Sequence, residues 1–316
     1  MFSFGSDPEF CLVNNDGKLK SAIGIIPGNK KEKYTVDNNF FYYDNVLAEC
    51  NVKPGFSKQE TLNNFKEAIT LYQKIVNEYS SGTKLCCIAS VEYPADELKH
   101  PDALEIACDP EQCCYDLKEH SPDQDLFKKT NLRTSGGHIH IGHALFQNPS
   151  FINKYRIIRM MDLFVGIPSV FLDKDPTSKN RRSIYGEPGR FRKQKHGVEY
   201  RSLSNFWLIH PELVGIIYDL TQAAVYAVEQ ELDNVFWTID FQSLGDNKNW
   251  LTPGFNPVSC HHCHYDLELM KEAIKEQNTD KAKIFLELIK PYLTDSLFAS
   301  IIEPKEYSND LEENWK

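Results

Sequence analysis

Several short stretches of the chain set acids, imidazoles and guanidinium groups at spacings that aim them at a common place. In Gly5-Ser-Asp-Pro-Glu-Phe10, Asp7 and Glu9 stand two residues apart. Residues i and i+2 of an extended chain share a face, so both carboxylates can point one way. A turn with two solvated acids is the plainer reading of that stretch taken alone, since Asp-Pro is common punctuation. Tyr42-Tyr-Asp-Asn-Val-Leu-Ala-Glu-Cys-Asn51 adds Asp44 and Glu49. Glu49 lies among Val46, Leu47, Ala48 and Cys50, where an acid is costly to bury unless paired or metal-bound. The alternative is an outward position on a half-exposed strand.

The sharpest stretch is Thr134-Ser-Gly-Gly-His-Ile-His-Ile-Gly142. Alternation puts His138 and His140 on the polar face of a strand whose isoleucines face the core. Gly136, Gly137 and Gly142 allow close approach of backbone or ligand. Arg181-Arg-Ser-Ile-Tyr-Gly-Glu-Pro-Gly-Arg-Phe-Arg192 and Gly197-Val-Glu-Tyr-Arg-Ser-Leu-Ser-Asn-Phe-Trp-Leu208 follow, with Glu199 and Arg201 again two apart. Planar arginine forks suit phosphate and carboxylate oxygens, although a basic surface loop beside a salt-bridged strand has the same text. Oxygen-rich ligands with an imidazole suit magnesium or manganese better than zinc. Such sites hold nucleotide phosphates through metals while arginines neutralise developing charge. Walker and protein-kinase signatures are absent. Cys260-His-His-Cys-His264 has a zinc-like spacing but no second ligand pair, and reads as a non-metal loop.

The elements expected to carry these residues alternate strands with helices. Strands are predicted at Phe10–Val13, Asn39–Tyr43, Val46–Cys50, Lys84–Val91 and Gly137–Gly142. Apolar residues at helical spacing predict a helix over Ser57–Tyr79, with Ser57 as N-cap and Glu60 three residues on. Further helices are expected at Asn153–Phe164, from Pro211 through about Val235, and at Leu267–Glu276 and Lys281–Leu293. There is no internal repeat or low-complexity linker. The expected division is a catalytic part over 1–235 and a mostly helical C-terminal part of the same unit over 236–316.

The 316 residues are 41% hydrophobic and 25% charged, the make-up of an ordinary globular protein rather than a disordered or fibrous one. No run approaches the ~18 apolar residues of a membrane span. The N-terminal text lacks signal-peptide features, and nine cysteines that include adjacent pairs suit a reducing compartment, so the cytoplasm is expected. A net charge of −10 argues against broad nucleic-acid binding. The basic residues nevertheless crowd between Lys179 and Arg201, as an anionic ligand there would require.

The ordered blocks GSDPEF, DNVLAECN, GGHIHIG, RRSIYGEPGRFR and GVEYRSLSNFWL resemble the phage-type carboxylate-amine ligases (COOH.NH2 ligase type 2), relatives of glutamine synthetase and glutamate-cysteine ligase. The resemblance covers residues 1 to about 210. It implies an α+β fold, a glutamine-synthetase-like curved antiparallel sheet with helices on its outer face, holding ATP and two or three Mg2+ or Mn2+ ions. It implies phage origin with residence in the host cytoplasm, and amide formation through an acyl phosphate. By position, Asp7, Glu9, Asp44, Glu49, His138 and Glu199 would bind metal. His140, Arg192 and Arg201 would meet the nucleotide phosphates, and Arg182, Arg190, Arg192 and Arg201 would steady the transferring phosphoryl group or the substrate carboxylate. The segment Ala107–Cys114 departs from the family's text and is placed near the acceptor. The expected partners are a carboxylate on a small molecule, nucleotide or peptide, and an amine such as an amino acid. Nucleic acid enters only as a substrate for modification. A metal-dependent hydrolase or phosphotransferase, or a non-catalytic nucleotide-binding relative, would use the same residues.

Overall fold

A computed structural model describes residues 2–104, 110–121, 129–147, 152–233 and 266–316. Cys260–His264 lies outside them. The fold is α+β, as expected, and is built on a 12-stranded antiparallel sheet. Its strands along the chain are β1 (Ser3–Ser6), β2 (Glu9–Val13), β3 (Leu19–Lys20), β4 (Tyr34–Val36), β5 (Asn39–Asp44), β6 (Leu47–Gly55), β7 (Lys84–Cys86), β9 (Glu111–Cys113), β10 (Glu119–His120), β12 (Ile139–Gly142), β13 (Arg190–Gln194) and β14 (Gly197–Tyr200). Between them, β8 (Ser90–Glu92) and β11 (Leu132–Thr134) pair only with each other. The main path runs β10-β9-β13-β14-β12-β1-β6-β2-β3, with β5 on β6, β4 on β5 and β7 on β2.

Alternation gives the sheet two unlike faces. Phe4, Ile139, Ile141, Phe191, Val198 and Tyr200 point to one side and are buried against helices. Helix α1 (Lys58–Tyr79) lies there, presenting Phe65, Ala68, Ile69, Tyr72 and Val76 to β6. Its start is as expected: Ser57 caps the Glu60 N–H, and the Glu60 carboxylate reaches back to the Phe56 N–H at 2.8 Å. Trp207 packs edge-on against Phe4 and Phe65 at centroid distances of 5.9 and 5.3 Å. The later helices α2 (Ile152–Met161), α3 (Ile167–Leu172), α5 (Pro211–Glu229), α6 (Leu267–Lys275), α7 (Thr279–Ile289) and α8 (Asp295–Ile302) feed the same core, while α4 (Ser178–Ile184) buries Arg181 and Arg182.

Four boundaries differ from the sequence expectation for local reasons. The Lys84–Val91 run splits into β7 and β8, which join different partners. The helix from Asn153 does not run on regularly: Asp162–Gly166 is a π-helical turn before α3. Pro168 cannot donate a backbone hydrogen bond, and Asp162 is drawn to two tyrosine hydroxyls, so the ladder widens there. Helix α5 stops at Glu229 because Glu231 takes a left-handed conformation with φ 56°. Helix α7 stops at Ile289, before Pro291, and tightens into a 3-10 turn.

Close strand approach fixes one glycine. A Cβ on Gly197 would stand 1.7 Å from the Ile141 carbonyl oxygen, at the end of the β12–β14 pairing where Gly197 faces Gly142. Gly197→Ala should therefore cost about 1–3 kcal/mol through strand displacement. The check is a urea transition, expected to show a lower midpoint at unchanged slope. An unmoved midpoint would mean the strands are not that tight.

Candidate functional site

The face opposite the helices carries the polar residues in rows. Registers set Gly5 opposite His140, His140 opposite Glu199, and Glu199 opposite Arg192 across β1, β12, β14 and β13. Paired residues of antiparallel strands share a face, so this row is contiguous. A second row runs beside it. The Arg201 N–H donates to the Arg190 carbonyl at 3.1 Å, and Arg201 Nη1 lies 3.2 Å from His138 Nδ1. Arg201 also ion-pairs with Glu199 and, through Nε at 3.2 Å, with Glu111.

Two acid clusters stand on this face. Asp7, between β1 and β2, brings Oδ1 to 3.0 Å from His140 Nε2 and 3.3 Å from His138 Nδ1. Asp7, His140 and Glu199 each offer a ligand atom within 4.8 Å of the others, and so do Glu9, Asp44 and Glu49. Glu9 sits directly opposite Glu49 across β2 and β6, two acids that oppose strand association when both are ionised. Tyr42 donates to Glu49 Oε1 at 2.7 Å, whereas Glu49 Oε2 is buried with no hydrogen-bond partner among the described residues. His138 Nε2 is buried in the same condition. Converging carboxylates with an orphaned buried oxygen fit a hard divalent cation, and the near-all-oxygen set suits Mg2+ or Mn2+.

Electrostatics agree with that fit. Burial, then the Asp44 charge, raises Glu9 to about 7 despite the Gly136 N–H on its Oε2 at 2.5 Å. Burial, then Asp44 and Asp7, pushes Glu49 well above the usual carboxylate range. Burial and Asp7 hold Glu199 at about 7. Burial would also raise Asp7, but His140 and then His138 outweigh it and hold Asp7 well below its ordinary value. Burial and Arg201 press His138 down to about 3, leaving a neutral imidazole, while Asp7 and Glu199 outweigh burial and raise His140.

Of the residues singled out in sequence, the structure brings together Asp7, Glu9, Asp44, Glu49, His138, His140, Arg190, Arg192, Glu199 and Arg201. His140, rather than His138, completes the three-ligand group with Asp7 and Glu199. Arg182 lies elsewhere. It is fully buried on the helix side, donating to the Ile274 carbonyl at 2.8 Å and Ser169 Oγ at 2.9 Å. Sequence reasoning missed three contributors. Gln194 donates to Glu199 Oε2 at 2.6 Å. Tyr185 lies under the Arg201 and Arg181 guanidinium groups, 5.2 and 5.7 Å from its ring centre. Glu111 braces Arg201 and sits 3.6 Å from Arg190 Nε. Its signal was present, because Asp109-Pro-Glu111 repeats the tripeptide Asp7-Pro-Glu9.

Comparison with known proteins bears on this arrangement. Residues 130–243 match the family model described as Phage phiEco32-like COOH.NH2 ligase-type 2. The resemblance read from the motifs is to this family. The matched segment holds the histidine strand, the arginine block and the Glu199–Arg201 strand, while Asp7, Glu9, Asp44 and Glu49 come from outside it and converge on the same face. No curated protein matches the chain. A solved bifunctional glutathione synthetase from Pasteurella multocida shares 11% identity over 96% of this chain at a TM-score of 0.40, too loose a likeness to carry an argument. The chain spans about half the length of that structure, 51%. Among the described residues no helix is long and apolar enough to cross a membrane.

Glu9 and Glu199, raised to about 7, are partly protonated near neutrality, so a cation binding to them would displace protons. A ligand acid whose pKa is raised binds metal more weakly as the pH falls through that value. Mn2+ affinity should therefore drop between pH 8 and pH 6, by roughly tenfold for each such carboxyl, with proton release visible by calorimetry in buffers of different ionisation heat. A pH-independent affinity would contradict the assignment of these acids as ligands.

Proposed function

We propose that this protein is an ATP-dependent carboxylate-amine ligase of phage type, with a glutamine-synthetase-like curved sheet cradling ATP and divalent ions. The observation that carries the reading is the pair of carboxylate clusters beside an arginine row on one sheet face. The family name attached to residues 130–243, which joins a carboxyl to an amine, supports the reaction class.

Asp7, His140 and Glu199 would hold one ion, and Glu9, Asp44 and Glu49 another. ATP, when bound, supplies the phosphoryl group that turns a substrate carboxylate into an acyl phosphate, which an amine then captures as an amide. The chain's own residues supply charge and position. Arg192, one-fifth exposed beside Glu199, and Arg201, held by Glu199 and Glu111, offer guanidinium groups where phosphate oxygens carry charge. Tyr185 limits how far the Arg201 head can swing. Neutral His138, packed between Asp7 and Arg201, keeps both oriented without adding charge. The carboxylate and amine are small-molecule, nucleotide or peptide groups.

Glu199→Gln tests the reading. It keeps the side-chain shape but removes an anionic ligand, so ADP and phosphate release should fall at least roughly a hundredfold while the thermal midpoint is unchanged or higher. The readout is mass spectrometry of products from ATP, Mg2+, pooled amino acids and host extract. Retained turnover in the variant would remove Glu199 from the site. Phosphate release with no new amide by the parent protein would favour a hydrolase.

A further inference from the structure

A third group of metal-binding side chains lies outside the acid clusters, on the β9–β10 hairpin. Cys113, Asp116 and His120 each offer a ligand atom within 4.8 Å of the other two. The hairpin makes this proximity structural. The Cys113 N–H bonds the Lys118 carbonyl at 3.0 Å, and the Leu117 N–H bonds the Cys113 carbonyl at 3.1 Å. Leu117 takes a left-handed φ of 59°, turning the chain back so that His120 pairs opposite Glu111. Asp116 is anchored by the Lys118 N–H on its Oδ1 at 2.9 Å, leaving Oδ2 directed at His120 Nε2, 2.8 Å away.

We propose that Cys113, Asp116 and His120 form a binding site for a borderline-soft divalent ion of the zinc class, distinct in chemistry from the oxygen-rich acid clusters. One thiolate, one imidazole and one carboxylate make a mixed S, N, O set, which selects Zn2+ or Co2+ over Mg2+. Tetrahedral zinc with Zn–S about 2.3 Å and Zn–N or Zn–O about 2.0 Å sets its ligand atoms roughly 3.5 Å apart, so modest side-chain rotation closes the group. Three protein ligands leave the fourth position to water, which Asp116 and His120, partly exposed, can admit.

Burial, joined by the Asp116 charge, raises the Cys113 thiol, so the bound ion itself must drive off the proton; the backbone N–H groups of Asp116 and Tyr115 that point at the sulfur, and the Arg190 charge, assist that step. Backbone donors to sulfur are the outer-shell contacts that support metal-bound thiolates. On binding, the Cys113 S–H bond is replaced by an S–metal bond and the proton leaves to solvent. The hairpin's position gives the ion a consequence. Cys113 is registered opposite Arg190, and Glu111, two residues earlier on β9, faces Arg190 and Arg201. An ion pinning β10 to β9 braces the carboxylate that orients both arginines.

The test is Co2+ titration of the 316-residue chain carrying Cys260→Ser and Cys263→Ser, which removes the Cys-x-x-Cys pair. One equivalent of Co2+ should give a sulfur-to-cobalt charge-transfer band that Zn2+ abolishes and excess Mg2+ does not. Adding Cys113→Ser should remove the band. His120→Ala, at a partly exposed position, should weaken Co2+ at least tenfold. Absence of the band from the Cys260→Ser/Cys263→Ser protein, or its survival in the Cys113→Ser protein, overturns the site, as does unchanged affinity in His120→Ala.

Discussion

The interaction on which the rest depends is an unfavourable one: Glu9 and Glu49 face each other on adjacent strands, with Asp44 beside them. If both are ionised they repel across the ladder, and burial adds a desolvation cost, which together push both carboxyls toward the neutral form. A sheet needs neither residue there for its own stability. The ladder tolerates them because hydrogen bonds are spent around the pair, from Tyr42 to Glu49 and from the Gly136 N–H to Glu9. The remaining deficit is what a cation would repair.

Support for the face comes from residues that touch no ligand. The 3-10 turn Asn205–Leu208 reaches both ends of the site from behind. Asn205 donates to the Glu9 carbonyl at 2.8 Å, and Trp207 donates to the Gly137 carbonyl at 3.1 Å while filling the core beneath β1. Arg181 performs the same service for Arg201, donating to the Arg201 and Ser202 carbonyls. The conspicuous Ser-Asn-Phe-Trp text is thus a buttress, and the proposed ligand Glu199 lies in the strand preceding it. Arg182, adjacent to Arg181, points the other way because a helical step separates neighbours by about 100°.

What was legible from the amino acids followed the period-two rule. Asp7 with Glu9, His138 with His140 and Glu199 with Arg201 each read as same-face pairs, while the α+β class was implied by the family resemblance of the motif blocks. Less legible was anything decided by which strands become neighbours. Both histidines point to the same face, and only the β12–β14 register sets His140 against Glu199. Glu111 sits in a three-residue strand whose role comes from pairing with β13, a contact between distant segments. Local conformation hid the rest: the π turn at Asp162 depends on the hydroxyls of Tyr115, from the β9–β10 turn, and Tyr200, from β14.

The central place of β1 has a consequence for how the molecule assembles. Its four residues pair with β6 on one side and β12 on the other, and Ser6 donates to the His138 carbonyl across 132 positions of sequence. The β5–β6 and β13–β14 hairpins close short loops and can form early, whereas joining β1 to β12 closes a very long one and is correspondingly slow. The acids of β2, β5 and β6 belong to one early piece, and His140, Glu199 and the arginines to another. The Glu9–Asp44–Glu49 group is thus complete within the first piece, whereas the Asp7–His140–Glu199 group comes together only when the two pieces meet along β1, after the chain beyond Glu199 has emerged from the ribosome.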